Sequence, residues 1–351
     1  MSELQNLYAG VSDYNNTVPD RFGRSRIYNS RNTDIFSPTV SKKIFEAGLR
    51  PHYPGKKQFA VCISHDVDHL FVTESFSRKL LNTSKRFLKG DLRMGGHYLK
   101  TFIDKDIYPP YNLKRLIALN DKNGIKSSFY FLSLASGEED YNYDVDQIAD
   151  QFDLVRRGKN EIGLHGGHEA YRDLAKLTEE KNRLEKVLGM KVKGYRNHYL
   201  RFELPTTWNH LAEAGFEYDT TFSYADSVGF RNGMCYPFLP FDFSMNRFVD
   251  IVELPLIVMD ATLFHYMRLD PKVALTICRR LCADVKRYHG VFTLLIHNHF
   301  LQGEMGEFYR DLINTLKEED PWFATSTDVV KWWRDERLLQ QSQQIISDLI
   351  K

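Results

Sequence analysis

The sequence predicts an α/β chain in which parallel strands alternate with helices and curl into a barrel with one polar rim. Three observations lead there. Short apolar runs rich in β-branched residues are separated by stretches with helical spacing, the pattern of parallel βα units. Several runs end on charged or imidazole side chains: Asp66 and Asp68, His165 and His168, Arg196 and His198, and His297. Barrels and doubly wound sheets both keep their chemistry at the carboxyl ends of strands, and a sheet that merely packs has no reason to gather such groups there. The composition also fits one large domain: 351 residues, 26% charged, 42% hydrophobic and a net charge of +1. That balance describes an ordinary globular protein and argues against a nucleic-acid partner.

Residues 1–57 are polar, rich in turn formers, and carry an arginine patch at Arg21, Arg24, Arg26 and Arg31. They read as an extended arm packed on a barrel that spans 58–351. Phe59 to Ile63 is the first strand, running into Ser64, His65, Asp66, Asp68 and His69. An insertion follows at 71–107, with Phe76, Leu80, Leu81, Phe87 and Leu88 at helical spacing among many Lys and Arg. Its expected role is a helix docked on the barrel by its apolar face; peripheral contact with an anionic membrane is the alternative.

Tyr111 to Lys122 predicts a helix and Lys126 to Leu132 the second strand. Val145 to Arg157 is helical, with Gly158 as its cap, and Glu161 to Leu164 is the third strand. Leu174, Leu177, Leu184, Val187 and Leu188 give one buried helical stripe. Lys191 to Tyr195 and Gly215 to Asp219 are the next strands, separated by a helix that Pro205 opens. The aromatic, proline-bearing stretch 223–250 reads as a long irregular excursion that walls the site. Ile251 to Met259 reads as a single sixth strand. Helices over 272–288 and 304–317 flank the most apolar strand, Val291 to Ile296. A last strand at Trp322 leads to a helix starting near Ser326 to Asp328, all good N-cap types.

Four cysteines (Cys62, Cys235, Cys278, Cys282) form no CxxC pair, so neither a zinc knuckle nor a disulfide scaffold is expected. The first residues lack a basic region followed by an apolar core, and no apolar run approaches the roughly 20 residues of a membrane span. Cytoplasmic location is the expectation, with peripheral contact at the inner membrane through the insertion as the alternative. Nothing sets the oligomeric state.

Asp66 and Asp68 point to the same side of their strand and repel unless a cation or proton separates them. Asp68, His165 and His168 make a plausible metal triad, a carboxylate and two imidazoles that leave positions open for water and substrate. His198 is the alternative third ligand. Asp66 is then the base, Arg196 its partner, and His297 the acid for a leaving amine. His198, Tyr199 and Asp219 are placed at the substrate or behind the ligands.

This arrangement resembles the NodB-like polysaccharide deacetylases, carbohydrate esterase family 4. His65-Asp66-Val67-Asp68 is similar to the family's Asp-x-Asp motif, and His165-Gly166-Gly167-His168 to its histidine pair, one residue closer than usual. Gly194 to Tyr199 resembles the motif with an Arg followed by an aromatic, without its usual prolines, and Leu295-Ile296-His297 the final Leu-x-His. The likeness runs over residues 59–334. It implies a distorted (β/α)7 barrel, with Asp66 as catalytic base and Asp68 as a ligand of one divalent ion: zinc first, or cobalt, manganese, nickel or iron. The implied reaction removes acetyl from an N-acetylated sugar of an envelope glycan or sugar-lipid. For such a substrate the aromatic stretch 223–250 suits stacking on sugar rings, with packing as the alternative. A non-sugar amide or ureide hydrolase, or a non-catalytic glycan-binding protein, are the alternatives.

Overall fold

The computed structural model describes residues 3–14, 18–30, 32, 34–70, 76–90, 92, 95–96, 99, 113–134, 143–299, 301 and 303–349. Its centre is a curled parallel sheet. Strands β1 (Ala60–Val67), β2 (Ser127–Leu132), β3 (Glu161–Gly166), β4 (Gly194–Asn197) and β5 (Tyr218–Asp219) lie side by side in chain order. A small antiparallel hairpin, β6 (Phe241–Asp242) and β7 (Arg247–Phe248), stands apart from it. β8 (Val252–Glu253) then pairs with β5, β9 (Val258–Met259) with β10 (Val291–Leu295), and β10 with β1. β11 (Trp322–Phe323) pairs with the start of β1. This is the distorted barrel expected from the sequence.

The run 251–259 is two strands, not one. Its first half extends the β5 edge and its second half the β10 edge, so residues 254–257 cross the seam between the two ends of the sheet. Pro255 sits at the break, where it has no N–H for a ladder, and its carbonyl accepts from Thr293 Oγ1. The segment at 235–238 laces the same seam: Phe238 exchanges backbone hydrogen bonds with Glu253, and Cys235 accepts from the Val291 N–H.

All eight residues of β1 are buried, as expected of a central strand covered on both faces. The barrel interior is filled by tyrosines opposed by glycines. A Cβ at Gly166 or Gly194 would overlap the Tyr195 or Tyr218 ring. At the amino-terminal end of the strands, Glu161 accepts from Ser128 Oγ (2.6 Å) and Tyr218 Oη (2.6 Å), a polar plug far from the functional rim. Helices cover the outside and are capped as the sequence suggests. Asp173 accepts from the Ala175 and Lys176 N–H groups, and Gly189 ends that helix with φ of 65°. The Thr325 hydroxyl caps the helix Ser326–Asp335.

Three expectations need correction. The arm is not simply extended. It carries helices at Glu3–Tyr8, Val11–Tyr14 and Thr39–Glu46, and is pinned by a buried Arg231–Asp13 pair (2.9 Å) and by Tyr8 Oη donating to the Leu239 carbonyl. The aromatics Tyr224, Phe230, Tyr236 and Phe238 are buried in the core and unavailable to stack on a sugar. In the insertion, the helix Phe76–Leu88 turns Thr83 inward, whereas Leu80 (50%), Leu81 (54%) and Leu88 (87%) are exposed. These three leucines therefore do not dock on the described part of the barrel. The stretches 71–75 and 101–107, also assigned to the insertion, lie outside the described residues.

Candidate active site

Parallel neighbours bring the ends of β4, β3, β1 and β10 to one rim. Asp66 comes from β1 and Asp68 directly follows it, His165 comes from β3, Arg196 and His198 from β4 and the turn after it, and His297 follows β10. All but His297 are buried.

The His165 Nδ1 lies 2.9 Å from the Arg196 carbonyl, a contact that requires a proton on Nδ1 and leaves the Nε2 lone pair free. That Nε2 faces Asp68 Oδ1 at 3.4 Å and Asp66 Oδ2 at 3.6 Å. His198 Nδ1 lies 3.1 Å from the same Nε2 and 3.7 Å from Asp68 Oδ1. Asp68 Oδ1 is buried with no hydrogen-bond partner. Two imidazole nitrogens and an orphaned carboxylate oxygen converging on one point form a donor set that fits a divalent cation. Among the described residues, Asp68, His165 and His198 are the group whose donor atoms all lie within 4.8 Å of one another. Burial alone would raise the Asp68 carboxyl, but His198, His165 and His297 around it hold it well below the usual carboxylate range.

His168, placed third in the triad by its spacing, is not in that group. β3 ends at Gly166, and the chain carries the His168 ring to a stack on His198, with centroids 5.3 Å apart and planes 9° apart. His198 takes the position because β4 is the neighbouring strand. His165 is in register with Arg196, so the turn after β4 opens directly beside it. That turn holds Tyr199 and Leu200 at φ of 58° and 55°, a left-handed pair that costs on the order of 1–3 kcal/mol per residue and fixes where His198 points.

Arg196 Nε stands 3.9 Å from Asp66 Oδ1, while its Nη2 donates to Ser64 Oγ at 2.8 Å. Tyr130 lies under the guanidinium, 5.0 Å from ring centroid to Cζ. Asp219 is buried on the interior side of Arg196, away from any substrate face. It accepts from Thr221 Oγ1 (2.6 Å) and is paired with Glu253, which accepts from Trp208 Nε1 (2.8 Å). Burial and the neighbouring Asp219 charge push Glu253 far up, so Glu253 keeps the shared proton.

His297 Nδ1 is 2.6 Å from Asp260 Oδ1, and its backbone N–H donates to Asp260 Oδ2 at 2.7 Å. Its Nε2 points back into the site, 3.8 Å from Asp68 Oδ2. Burial pulls this imidazole down, but Asp260, with Asp68 and Asp66 beyond it, pushes it up to about 10. His297 therefore carries a proton it can give. Asp260 and Glu253 were missed in the sequence, although Asp260 follows the run 251–259 and obeys the same strand-end rule that marked the others. Asp260→Asn should lower the alkaline limit of activity by at least about one pH unit, because it removes the charge that holds the His297 proton. A pH–rate profile identical to that of the wild type would exclude this coupling.

No protein-family profile matches the sequence, and no curated protein matches it. Solved structures do. The chain is similar to a protein of Mycobacterium smegmatis designated a polysaccharide deacetylase, at 19% identity, over 83% of this chain and 95% of that one, with a TM-score of 0.56. It also aligns with a polysaccharide deacetylase of Bacillus cereus (11% identity, 76% and 91% of the two chains, TM-score 0.38). A family 4 carbohydrate esterase pseudoenzyme of Bacillus anthracis aligns at 11% identity over 79% and 66%, with a TM-score of 0.40. The strand order, the curled parallel sheet and the first of these likenesses agree: the chain has the NodB-like fold of the polysaccharide deacetylases.

Proposed function

We propose that the protein is a metal-dependent hydrolase that removes the acetyl group from an N-acetylated sugar of a cell-surface or envelope glycan. The observation that supports this reading is that the Asp66 carboxylate and the His297 imidazole stand around one cation-fitting triad, Asp68, His165 and His198, where they could serve as base and acid. Glycan binding alone needs neither a base nor an acid. A divalent ion held by the triad would polarise the acetamide carbonyl and acidify a water. Zinc suits the two imidazoles and one carboxylate, with cobalt, manganese, nickel or iron as substitutes.

Asp66 takes the proton of the water that attacks the carbonyl carbon, and Arg196, whose Nε stands 3.9 Å from Asp66 Oδ1, orients the carboxylate. As the C–N bond breaks, the proton on His297 Nε2 passes to the departing nitrogen, leaving acetate and a free amine. Acetate release from N-acetylated oligosaccharides, abolished by a chelator and restored by zinc, is the expected result. Release from simple amides or ureides but from no sugar would favour the non-sugar alternative. Saturable glycan binding with no acetate would leave a binding protein.

The open stripe of the insertion helix supports peripheral membrane contact. Leu80, Leu81 and Leu88 are exposed, and so are Lys85 on the same helix and Lys89 in the turn just past its end. No helix among the described residues is long and apolar enough to cross a membrane. The protein should co-sediment with anionic vesicles at low salt and lose that binding in a Lys85→Glu, Arg86→Glu, Lys89→Glu variant. Absence of binding by the intact chain would make the helix a wall of the domain only.

A further inference from the structure

Residues 20–26 of the arm lie over the functional rim. Phe22 stacks on Tyr199 with centroids 4.3 Å apart, and Tyr199 in turn lies 4.3 Å from His198. Arg24 is buried and fully engaged. It donates to the Tyr199 carbonyl (2.7 Å), to Tyr266 Oη (2.8 Å) and to Asp20 Oδ2 (2.7 Å). Asp20 is satisfied by that pair and by the Phe22 and Arg24 N–H groups. The Arg24–Asp20 unit therefore anchors the arm and is electrically neutral.

Beneath this strap is a cavity of about 340 Å³, also lined by Arg21, Arg26, Asp226 and Tyr266. That is within the size of small-ligand sites. Its charge is unbalanced. Arg21 lies over the Phe22 ring at 4.6 Å, and neither Arg21 nor Arg26 has a carboxylate within ion-pair distance among the described residues. The remaining acid, Asp226, accepts from the Ile27 N–H at 3.2 Å. Two guanidinium forks in one cavity, with Phe22 linking it through Tyr199 to His198, are what the phosphate or carboxylate of a charged sugar would need. Anchoring explains Arg24, whereas Arg21 covers the Phe22 ring and neither it nor Arg26 is charge-balanced by a carboxylate among the described residues.

We propose that this cavity binds the anionic group, phosphate or carboxylate, of the glycan whose acetyl group the site removes, so that the substrate is a charged N-acetylated sugar. This rests on the deacetylase reading for the acetamide end only. The test is calorimetric binding to the full zinc-loaded chain, with N-acetylglucosamine 1-phosphate, N-acetylmuramic acid and neutral N-acetylglucosamine as probes. At least one charged sugar should bind about tenfold or more tighter than the neutral one, the worth of one charge-assisted contact. Which of the two charged probes leads identifies phosphate or carboxylate.

Arg21→Gln with Arg26→Gln should abolish that preference while sparing neutral-sugar binding. Asp226→Asn, which removes repulsion and keeps an acceptor for Ile27, should enlarge it. Equal binding of all three probes, or a preference indifferent to these variants, overturns the proposal. Binding and turnover fail separately. A charge preference that depends on the arginines, with no acetate released from any sugar, would sink the deacetylase reading and keep the anion site. Acetate released equally from charged and neutral sugars, by wild type and double variant alike, would do the reverse.

Discussion

Asp66→Asn should lower kcat by roughly 10²–10⁴ while leaving the bound metal in place, the usual contribution of a positioned general base. The asparagine keeps the shape of the side chain but cannot accept a proton from water. Asp66 is buried, yet its Oδ1 has no hydrogen bond, and the nearest cation is the Arg196 guanidinium at 3.9 Å. A buried carboxylate left so lightly engaged is available to accept a proton. The loss should fall equally on kcat and kcat/KM, because the interaction is made in the transition state and not with bound substrate. Metal content by elemental analysis separates this outcome from loss of the triad. Near-normal turnover would assign the base to another group.

Most of the fold, and the meeting of the candidate site residues, was legible in the sequence for one reason. In a parallel βα array every strand ends at the same rim, so residues distant in the chain but each at a strand end must meet. Asp66, Asp68, His165, Arg196, His198 and His297 were expected at one rim on that ground, and they do converge there, without knowledge of how any loop ran. What could not be read was loop direction. His165 and His168 look paired because two glycines separate them, but β3 ends at Gly166 and the chain leaves the rim before His168. His198 is thirty-odd residues away and yet adjacent, through strand register and two residues at positive φ that no propensity rule predicts. The run 251–259 hid its break because its apolar character is continuous, and the only local sign was Pro255. The insertion shows the same limit. Spacing revealed a stripe, but not whether the stripe faces the barrel or the solvent.

His198→Ala should release the metal, whereas His168→Ala should keep it. A ligand donates through a lone pair in the plane of its ring, and the His198 Nδ1 is directed at the point that His165 Nε2 and Asp68 Oδ1 also face, 3.1 Å and 3.7 Å away. The His168 ring lies parallel to His198 and is displaced from it by 5.3 Å, so it contributes a stacking surface instead of a third donor. Removing it takes away support for the His198 ring, and the cost should stay within the roughly 10–100-fold in affinity that loss of an outer partner brings. Removing His198 takes one of three protein ligands and should exceed that range, leaving the ion extractable by a weak chelator. Competition titrations of zinc against a chromophoric chelator measure both variants on one scale. The opposite order, with the ion retained in His198→Ala and lost in His168→Ala, would return the third position to His168 and require the turn at 197–200 to rearrange when metal binds.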